Sequence, residues 1–290
     1  MSKRILVSGA TGNIGAQVIR FLSKLNTTNK INAAVRNIEK ARIKFSQYPE
    51  LEYVNFDFED QSTFANAFKN IDTVFLLRPP HIADIEKYFR PLLEELNKSS
   101  VKEIVFLSVQ GAELSKVIPH NKIEALIKEF DIDYIFLRPS YFMQNLTTTL
   151  YTDIKEKRKI LLPAGKAVFN WIDIDNIGEA AAILLSKFEN FKNKEIELTG
   201  YENENFYHIA QLIRDECQTN ITYKSTNPIA FFRIKKKEGM VPGMIIVMIM
   251  LHLLPRFQKE PKISHFYEKI TGKKPTSLKE FVIREKEQFL

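Results

Sequence analysis

Three glycines near the N-terminus have the spacing of a phosphate-binding loop. Gly9, Gly12 and Gly15 occur in the run GATGNIG, which follows a short apolar stretch and precedes a helical pattern of apolar residues. These glycines allow a tight turn, close approach of the backbone to a pyrophosphate, and close helix–strand contact, respectively. The helix N-terminus offers free N–H groups and a positive dipole end to phosphates. We therefore predict a dinucleotide site that includes Gly9, Thr11, Gly12, Asn13, Ile14 and Gly15.

The residues after the second predicted strand indicate which dinucleotide fits. An NAD site usually carries an Asp or Glu there, bound to the adenosine ribose. This chain has no carboxylate side chain before Glu39, and Arg36 follows the strand predicted at residues 31–35. A guanidinium group can bind a 2′-phosphate through two hydrogen bonds. We therefore expect NADP(H) as the cofactor and NAD(H) as the weaker ligand.

Further cofactor contacts are expected where later strands end. The third strand ends at Asp57, which could bind an adenine amino group with Phe58 against the ring; a helix-capping role for Asp57 is the alternative. The fourth strand ends at Leu77 and Arg78, which are expected beside the cofactor's ribose and phosphates. For the aromatic residues that follow the sixth strand, ordinary strand-end packing is the alternative. The residues expected at the nicotinamide half are Ser108, Pro139, Ser140, Tyr141 and Phe142.

Predicted strands alternate with predicted helices through the N-terminal half of the chain. This order indicates an α/β fold, a Rossmann-type doubly wound parallel sheet with helices on both faces. Beyond Gly200 the pattern is mostly helical, with breaks at prolines. We expect a dinucleotide-binding domain over residues 1–200 and a smaller, mainly helical domain over residues 201–290, with a contribution from residues 145–170. The predicted strands cover residues 4–8, 31–35, 52–56, 73–77, 103–107, 134–137 and 195–199.

Several motifs together resemble the NmrA-like group, atypical members of the short-chain dehydrogenase/reductase superfamily. The motifs are GATGNIG at 9–15, AAVRN at 33–37, SVQG at 108–111, HNKIE at 120–124, LRP at 137–139 with FMQN at 142–145, LTG at 198–200 and TGKKP at 271–275. The resemblance covers nearly the whole chain. It implies a Rossmann-type NADP domain and a small C-terminal domain that closes a substrate cleft. It also implies either NADPH-dependent reduction of quinones, azo dyes or triphenylmethane dyes, or a redox-sensing regulator with little or no catalysis.

The residues that would supply a proton depart from the dehydrogenase pattern. Ordinary short-chain dehydrogenases use a Tyr-x-x-x-Lys pair, and the one match here, at residues 151–155, falls after the sixth strand and is expected by chance. The usual position holds His120 and Glu124, which share a helix face. We predict His120 as a proton donor near neutral pH; the alternative is a structural residue that pairs with Glu124. Lys122 is a candidate contact to the nicotinamide ribose.

The missing Tyr-Lys pair favours an acceptor whose reduction does not need a proton donor with an adjusted pKa. Hydride transfer to an electron-poor acceptor depends on proximity and an apolar pocket, and water can supply the proton. Tyr141 and Phe142 could stack on an aromatic acceptor. We therefore predict an NADPH-dependent oxidoreductase that acts on a quinone-like or other conjugated apolar acceptor. The alternative is a non-catalytic NADP(H)-binding regulator that acts through a protein partner, and a nucleotide-sugar epimerase is a third class.

Composition excludes several other classes. The 290 residues carry a formal net charge of +7, but the basic residues are dispersed, so nucleic-acid binding is not expected. The single Cys217 excludes a disulfide framework and suits a reducing cytoplasm. No metal-ligand motif occurs, and a homodimer is compatible with the sequence.

Residues 243–254 are nearly all apolar but would extend only about 18 Å as a helix, too short to span a membrane. A buried or dimer helix, an adaptable ligand wall and a membrane-surface contact are the open alternatives for this segment.

Overall fold

The structure is a computed structural model, and it describes residues 2–25, 28–116 and 118–290. Its strands are β1 (Arg4–Val7), β2 (Lys30–Val35), β3 (Glu52–Asn55), β4 (Thr73–Leu77), β5 (Glu103–Leu107), β6 (Asp133–Pro139), β7 (Tyr141–Phe142), β8 (Lys159–Leu162), β9 (Val168–Ile172), β10 (Lys194–Leu198), β11 (Asn203–Asn205) and β12 (Thr222–Ser225).

The helices are α1 (Asn13–Lys24), α2 (Ile38–Lys44), α3 (Phe64–Phe68), α4 (Ile85–Lys98), α5 (Pro119–Glu129), α6 (Tyr151–Lys157), α7 (Ile174–Ser186), α8 (Phe206–Cys217), α9 (Pro228–Lys237), α10 (Pro242–Leu253), α11 (Phe266–Thr271), α12 (Leu278–Arg284) and α13 (Lys286–Phe289). Short 3₁₀ turns occupy Gln61–Thr63, Ala112–Leu114, Met143–Leu146, Phe188–Asn190 and Leu254–Phe257. The described chain divides into two compact units. The first contains residues 1–139, 174–198 and 266–273, and the second contains residues 140–173, 199–265 and 274–290.

The first unit is built on a seven-stranded parallel sheet in the order β10-β6-β5-β4-β1-β2-β3. The order reverses at β1, whose neighbours are β2 and β4. A long apolar run forms each central strand because both faces of a parallel sheet are buried; all of β5 is buried. This architecture confirms the predicted Rossmann-type α/β fold. The carboxyl ends of β1, β4, β5 and β6 lie at one edge, where ligands bind in such sheets.

Helix α1 is fixed in the first unit by a close crossing with α7. A Cβ atom added to Gly178 on α7 would lie only 2.5 Å from the Cβ of Gln17 on α1. The apolar face of α1, which includes Val18, Ile19 and Leu22, is buried. The position of the loop that precedes α1 therefore depends on this packing as well as on β1.

The second unit combines helices with two small sheets, β11-β9-β7 and β12-β8. Its core contains Trp171, Phe206, Phe231 and Phe281, which are nearly inaccessible to solvent. Trp171 and Ile172 lie in β9, which pairs with β7 and with the distant β11. Residues 145–170, which the sequence prediction adds to the C-terminal domain, lie in this unit. The predicted division at residue 200 stays a prediction.

Among the described residues, no helix combines the length and the apolar character that crossing a membrane requires. The apolar segment singled out in the sequence forms α10, which has 12 residues. The same described residues hold no group of three or more His, Cys, Asp or Glu side chains arranged to bind a metal ion.

Candidate functional site

The glycine run forms the turn between β1 and α1, at the carboxyl edge of the sheet. The turn closes through a hydrogen bond from the Gly12 N–H to the Gly9 carbonyl oxygen, at 2.9 Å. Gly12 is the N-cap of α1, so no side chain caps the helix, and its first turn contains no acidic residue. Thr11, Gly12 and Asn13 are exposed, and Ile14 is half-buried. The N-terminus of α1 therefore presents N–H groups and a positive dipole end to an anion.

Steric contact explains two of the three glycines. Gly9 has φ +59°, in the left-handed region that favours glycine. A Cβ atom on Gly15 would lie 2.3 Å from the Gly9 carbonyl oxygen and 2.9 Å from the Ala10 Cα. Gly15 thus lets α1 start directly against the backbone of Gly9 and Ala10. Leu77, at the end of β4, packs on Gly9 from the other side.

Two cations lie where an adenosine 2′-phosphate is expected. Arg36 is exposed directly after β2, the strand next to β1. Lys44, at the end of α2, donates a hydrogen bond of 2.7 Å from Nζ to the Thr11 carbonyl oxygen of the glycine loop. Lys44 was not predicted from the sequence, because nothing in the spacing of Lys44 and Thr11, 33 residues apart, indicates that they are in contact. Its position in the last turn of α2 was the only available signal.

The structure gives Asp57 a defined role in a turn. Its Oδ1 accepts a hydrogen bond of 3.0 Å from the Glu59 N–H, and the neighbouring Asp60 caps the following 3₁₀ turn. Phe58 is buried, with its ring 4.9 Å from that of Phe56 and 5.4 Å from that of Phe89. The Phe58 ring is therefore occupied by packing in the core, which argues against its predicted contact with an adenine. This revises the sequence prediction, while the adenine contact of Asp57 stays a prediction.

Arg78 organises the loop after β4. Its Nη1 donates to the carbonyl oxygens of Pro79, Pro80 and Ile82, at 3.1, 3.1 and 2.6 Å. Its Nε is buried and has no hydrogen-bond partner among the described residues. Burial lowers the pKa of Arg78 below its usual value. The guanidinium thus keeps one inward donor for a ligand oxygen.

Ser108, directly after β5, is a second buried polar group that lacks a partner. The residue is 1% exposed, and its Oγ makes no hydrogen bond in the part of the chain that the structure describes. Its N–H donates to the Leu137 carbonyl oxygen at 2.8 Å, which fixes the backbone at the sheet edge. Since buried polar atoms are normally hydrogen-bonded, Ser108 Oγ and Arg78 Nε fit a polar ligand at this edge.

His120 does not have the electrostatics of an acid that works at neutral pH. Its half-buried ring lies 6.1 Å from the Phe106 ring. Burial, together with the positive charge of Arg78, lowers the pKa of His120 from 6.5 to about 3. The imidazole is therefore neutral near pH 7, which argues against the predicted role as a ready proton donor.

Glu124 pairs with an arginine, not with His120. Arg138 binds the buried Glu124 carboxylate in a bidentate arrangement, from Nε at 2.9 Å and from Nη2 at 2.6 Å. Glu113 and Glu195 also contact the Arg138 guanidinium. This corrects the alternative in which Glu124 holds His120, and it makes the pair a brace between α5 and β6. Lys122 is exposed on α5, and its ribose contact stays a prediction.

The last predicted residues follow β6. Pro139 ends β6, and its carbonyl oxygen accepts from the Gln110 N–H at 2.9 Å. In the second unit, Ser140 Oγ lies 2.6 Å from Asn170 Oδ1. Phe142 is half-buried in β7.

Tyr141 lies among aromatic residues of the second unit. Its ring is 4.9 Å from that of Trp171 and 5.2 Å from that of Phe169. Its hydroxyl lies 2.9 Å from His252 Nε2, and His252 Nδ1 lies 2.7 Å from the Met248 carbonyl oxygen. Since Nδ1 must donate to that carbonyl, the neutral Nε2 accepts from Tyr141. Burial raises the pKa of Tyr141, so the hydroxyl is a poor acid and already has a partner.

The sequence profile of the NmrA-like family matches residues 1–282. The chain belongs to the NmrA-like family. Prestalk A differentiation protein A of Dictyostelium discoideum is 28% identical over 96% of this chain and 90% of its own length. The NAD(P)H azoreductase of Xenophilus azovorans is 28% identical over 68% of each chain.

A solved structure shares the fold of this NmrA-like chain. The NADPH-dependent quinone oxidoreductase of Escherichia coli, determined in complex with NADPH, superimposes with a TM-score of 0.86 at 22% identity. The match covers 97% of this chain and 99% of that protein. The NmrA-like chain therefore adopts the same fold as that enzyme.

Proposed function

We propose that this chain is an NADPH-dependent oxidoreductase that transfers hydride to a quinone-like or other conjugated apolar acceptor. One observation carries the proposal: an uncapped helix N-terminus follows β1, and cations, not a carboxylate, stand after β2. The first feature suits a pyrophosphate and the second suits a 2′-phosphate. The azoreductase and quinone oxidoreductase relatives, named for their use of NAD(P)H and NADPH, support the same assignment.

In this proposal, different residues of the first unit bind different parts of the cofactor. The glycine loop binds the pyrophosphate, and Arg36 with Lys44 binds the 2′-phosphate. Asp57 borders the adenine, while Leu77 and Arg78 border the ribose and phosphates. Ser108 and Pro139 border the nicotinamide; the contacts that the sequence predicts for Ser140 and Phe142 stay predictions. NADPH, when bound, supplies the hydride.

The side chains that could donate a proton favour an acceptor that does not depend on a protein acid. His120 is neutral near pH 7, and the Tyr141 hydroxyl is bonded to His252. A quinone that receives hydride becomes a hydroquinone anion, which takes its proton from water. Reduction of an isolated ketone would instead require a positioned acid. Quinones and conjugated dyes are therefore the acceptor class that these residues support.

The test is oxidation of NADPH by the purified full chain with a benzoquinone, a naphthoquinone, an azo dye or a triphenylmethane dye. We expect turnover with at least one acceptor, and faster turnover with NADPH than with NADH. Loss of absorbance of the reduced nicotinamide reports the rate, and heat-inactivated protein is the control. Tight NADPH binding by calorimetry without turnover would contradict the enzyme and favour the alternative of a redox-sensing regulator.

A further inference from the structure

Helix α10 is apolar on all sides, but only one side is buried. Ile245, Met248 and His252 point into the second unit, and all three are at most 2% exposed. The opposite side, called here the α10 apolar face, covers about half of the helix circumference at 3.6 residues per turn. It consists of Met244, Ile246, Val247, Met250, Leu251 and Leu254, each between 39% and 57% exposed.

This face is too large to be incidental surface. Isolated exposed apolar side chains are common, whereas a contiguous apolar patch marks an interaction site. Two further exposed side chains extend it at its ends, Val241 at 65% and Phe257 at 80%. A neighbouring groove of about 320 Å³, lined by Pro228, Ile229, Phe232, Arg233 and Ile249, continues the apolar surface onto α9.

The charges around the α10 apolar face indicate what it contacts. Residues 229–262 contain seven Lys or Arg residues and two acidic residues. One of the seven, Lys235, is buried against Asp153 and Glu238, so six exposed cations stand against two carboxylates. The exposed Arg233, Lys236 and Lys237 lie on α9, before the α10 apolar face in the chain. The exposed Arg256 and Lys259 follow that face in the chain. Between Glu238 and Arg256 the chain carries no Lys, Arg, Asp or Glu residue. Exposed apolar side chains can enter the headgroup boundary and neighbouring cations are attracted to anionic lipids, so this arrangement fits an anionic membrane surface.

We propose that the α10 apolar face inserts into the surface of a membrane that contains anionic lipids. The helix lies in the plane of the interface, because its 12 residues are too few to cross the hydrocarbon core. The apolar side chains enter the boundary between headgroups and acyl chains. Arg233, Lys236 and Lys237 then contact lipid phosphates at one end of the helix.

A basic cavity offers a headgroup site at the other end of α10. The cavity has a volume of about 610 Å³, and Pro255 and Arg256, which follow α10, contribute to its wall. Lys166 and Lys259 also line it, together with the acidic Glu260. The positive side chains outnumber the negative one, so the cavity suits a lipid phosphate.

The same charges disfavour a second copy of the chain as the occupant. A symmetric dimer through α10 would place identical patches against each other. Two segments that each carry an excess of exposed cations would then be brought together, which costs free energy, whereas contact with anionic lipids would be favourable. The proposal does not rest on the proposed reductase function, because vesicle binding requires no turnover.

Co-sedimentation of the full chain with vesicles tests the proposal. The vesicles are made of phosphatidylcholine alone or of phosphatidylcholine mixed with phosphatidylglycerol. We expect binding to the mixed vesicles, weaker binding to the neutral ones, and a decrease of binding with added salt. Absence of binding to the mixed vesicles, or equal binding to both kinds, would overturn the proposal.

Two triple variants separate the apolar and electrostatic contributions. Ile246→Gln/Val247→Gln/Leu251→Gln removes part of the apolar face, and we expect the partition coefficient to fall more than about tenfold. Arg233→Gln/Lys236→Gln/Lys237→Gln lowers binding to the mixed vesicles by on the order of a hundredfold, since each basic residue contributes about fivefold. Because these positions are exposed, both variants keep the folded structure, which circular dichroism verifies.

The matched control replaces equally apolar side chains elsewhere. Leu114 and Ile283 are 79% and 50% exposed outside α10. Leu114→Gln/Ile283→Gln should bind vesicles as the unsubstituted chain does. Equal losses in this control and in the α10 variant would overturn the proposal. So would light scattering that shows a dimer of the unsubstituted chain and a monomer of the α10 variant, because a second copy would then occupy the face.

Discussion

At the scale of single residues, the cofactor preference is assigned to two cations, Arg36 and Lys44. Arg36→Ala and Lys44→Ala each remove a positive charge from the region assigned to the 2′-phosphate. A hydrogen bond to a charged group contributes about 1.5–3 kcal/mol, so we expect each variant to weaken NADPH binding about 10- to 100-fold. NADH lacks the 2′-phosphate, and its affinity should stay nearly constant. Isothermal calorimetry with both cofactors measures the difference.

Arg42, which lies on α2 with Lys44, provides the control. It is exposed, and its guanidinium lies over the Tyr53 ring at 5.1 Å. Arg42→Ala should leave the ratio of the two affinities unchanged. If Arg36→Ala and Lys44→Ala weakened NADH binding as much as NADPH binding, the assignment of the 2′-phosphate would be wrong.

His120 makes folding stability depend on pH. The pKa of His120 is about 3 in the folded chain and 6.5 in the unfolded chain. Below about pH 6.5 the unfolded chain therefore binds a proton that the folded chain does not. The unfolding free energy therefore falls as the pH decreases from about 6.5 towards 3. His120→Gln should reduce the loss between pH 7 and pH 5 by about 1–2 kcal/mol. Urea unfolding at both pH values measures it.

At the scale of secondary-structure elements, Gly15 sets how closely α1 approaches the end of β1. A Cβ atom there would meet the backbone at 2.3 Å, and backbone cannot move away as a flexible side chain can. Gly15→Ala should therefore shift α1, lower the unfolding free energy by about 1–3 kcal/mol and weaken NADPH binding. Chemical denaturation and calorimetry give the two quantities.

Gly243 is the matched control, because no atom of the described residues lies within 4 Å of an added Cβ atom there. Gly243→Ala should leave both the unfolding free energy and NADPH binding nearly unchanged. If Gly15→Ala were equally neutral, α1 would not be positioned by this contact.

The elements also show what sequence patterns can predict. The central strands were predicted closely because a continuous apolar run such as residues 103–107 has few alternatives in an alternating chain. The small strands of the second unit were not predicted, since β8 pairs with β12 more than 50 residues away in the chain, and neither strand has a long apolar run. The site followed the same rule. The glycine loop is local in sequence, whereas the Lys44–Thr11 contact and the effect of Arg78 on His120 exist only in the folded chain.

At the scale of the whole molecule, each unit has its own buried ionic network. In the second unit Lys235, which is 5% exposed, contacts the buried carboxylate of Asp153 and the carboxylate of Glu238. Asp153→Asn removes the buried partner charge, and we expect the unfolding free energy to fall by about 3 kcal/mol, because a buried cation is left poorly compensated. Thermal and chemical denaturation measure the change.

Asp133 offers a comparison in the first unit, since it forms a partly exposed pair with Lys192 at 2.6 Å. Surface pairs contribute at most about 1 kcal/mol, so Asp133→Asn should have a small effect. Equal losses in the two variants would show that burial does not govern the strength of these pairs.

The loop after β4 has a consequence for the heat of ligand binding. Arg78 already bonds three carbonyl oxygens of its own loop, so this segment is ordered before any ligand arrives. A preorganised loop loses little conformational entropy on association. The heat-capacity change of binding should then reflect the ligand surface that is buried, without the excess that accompanies coupled folding. In this respect the edge of the sheet behaves as a rigid receptor.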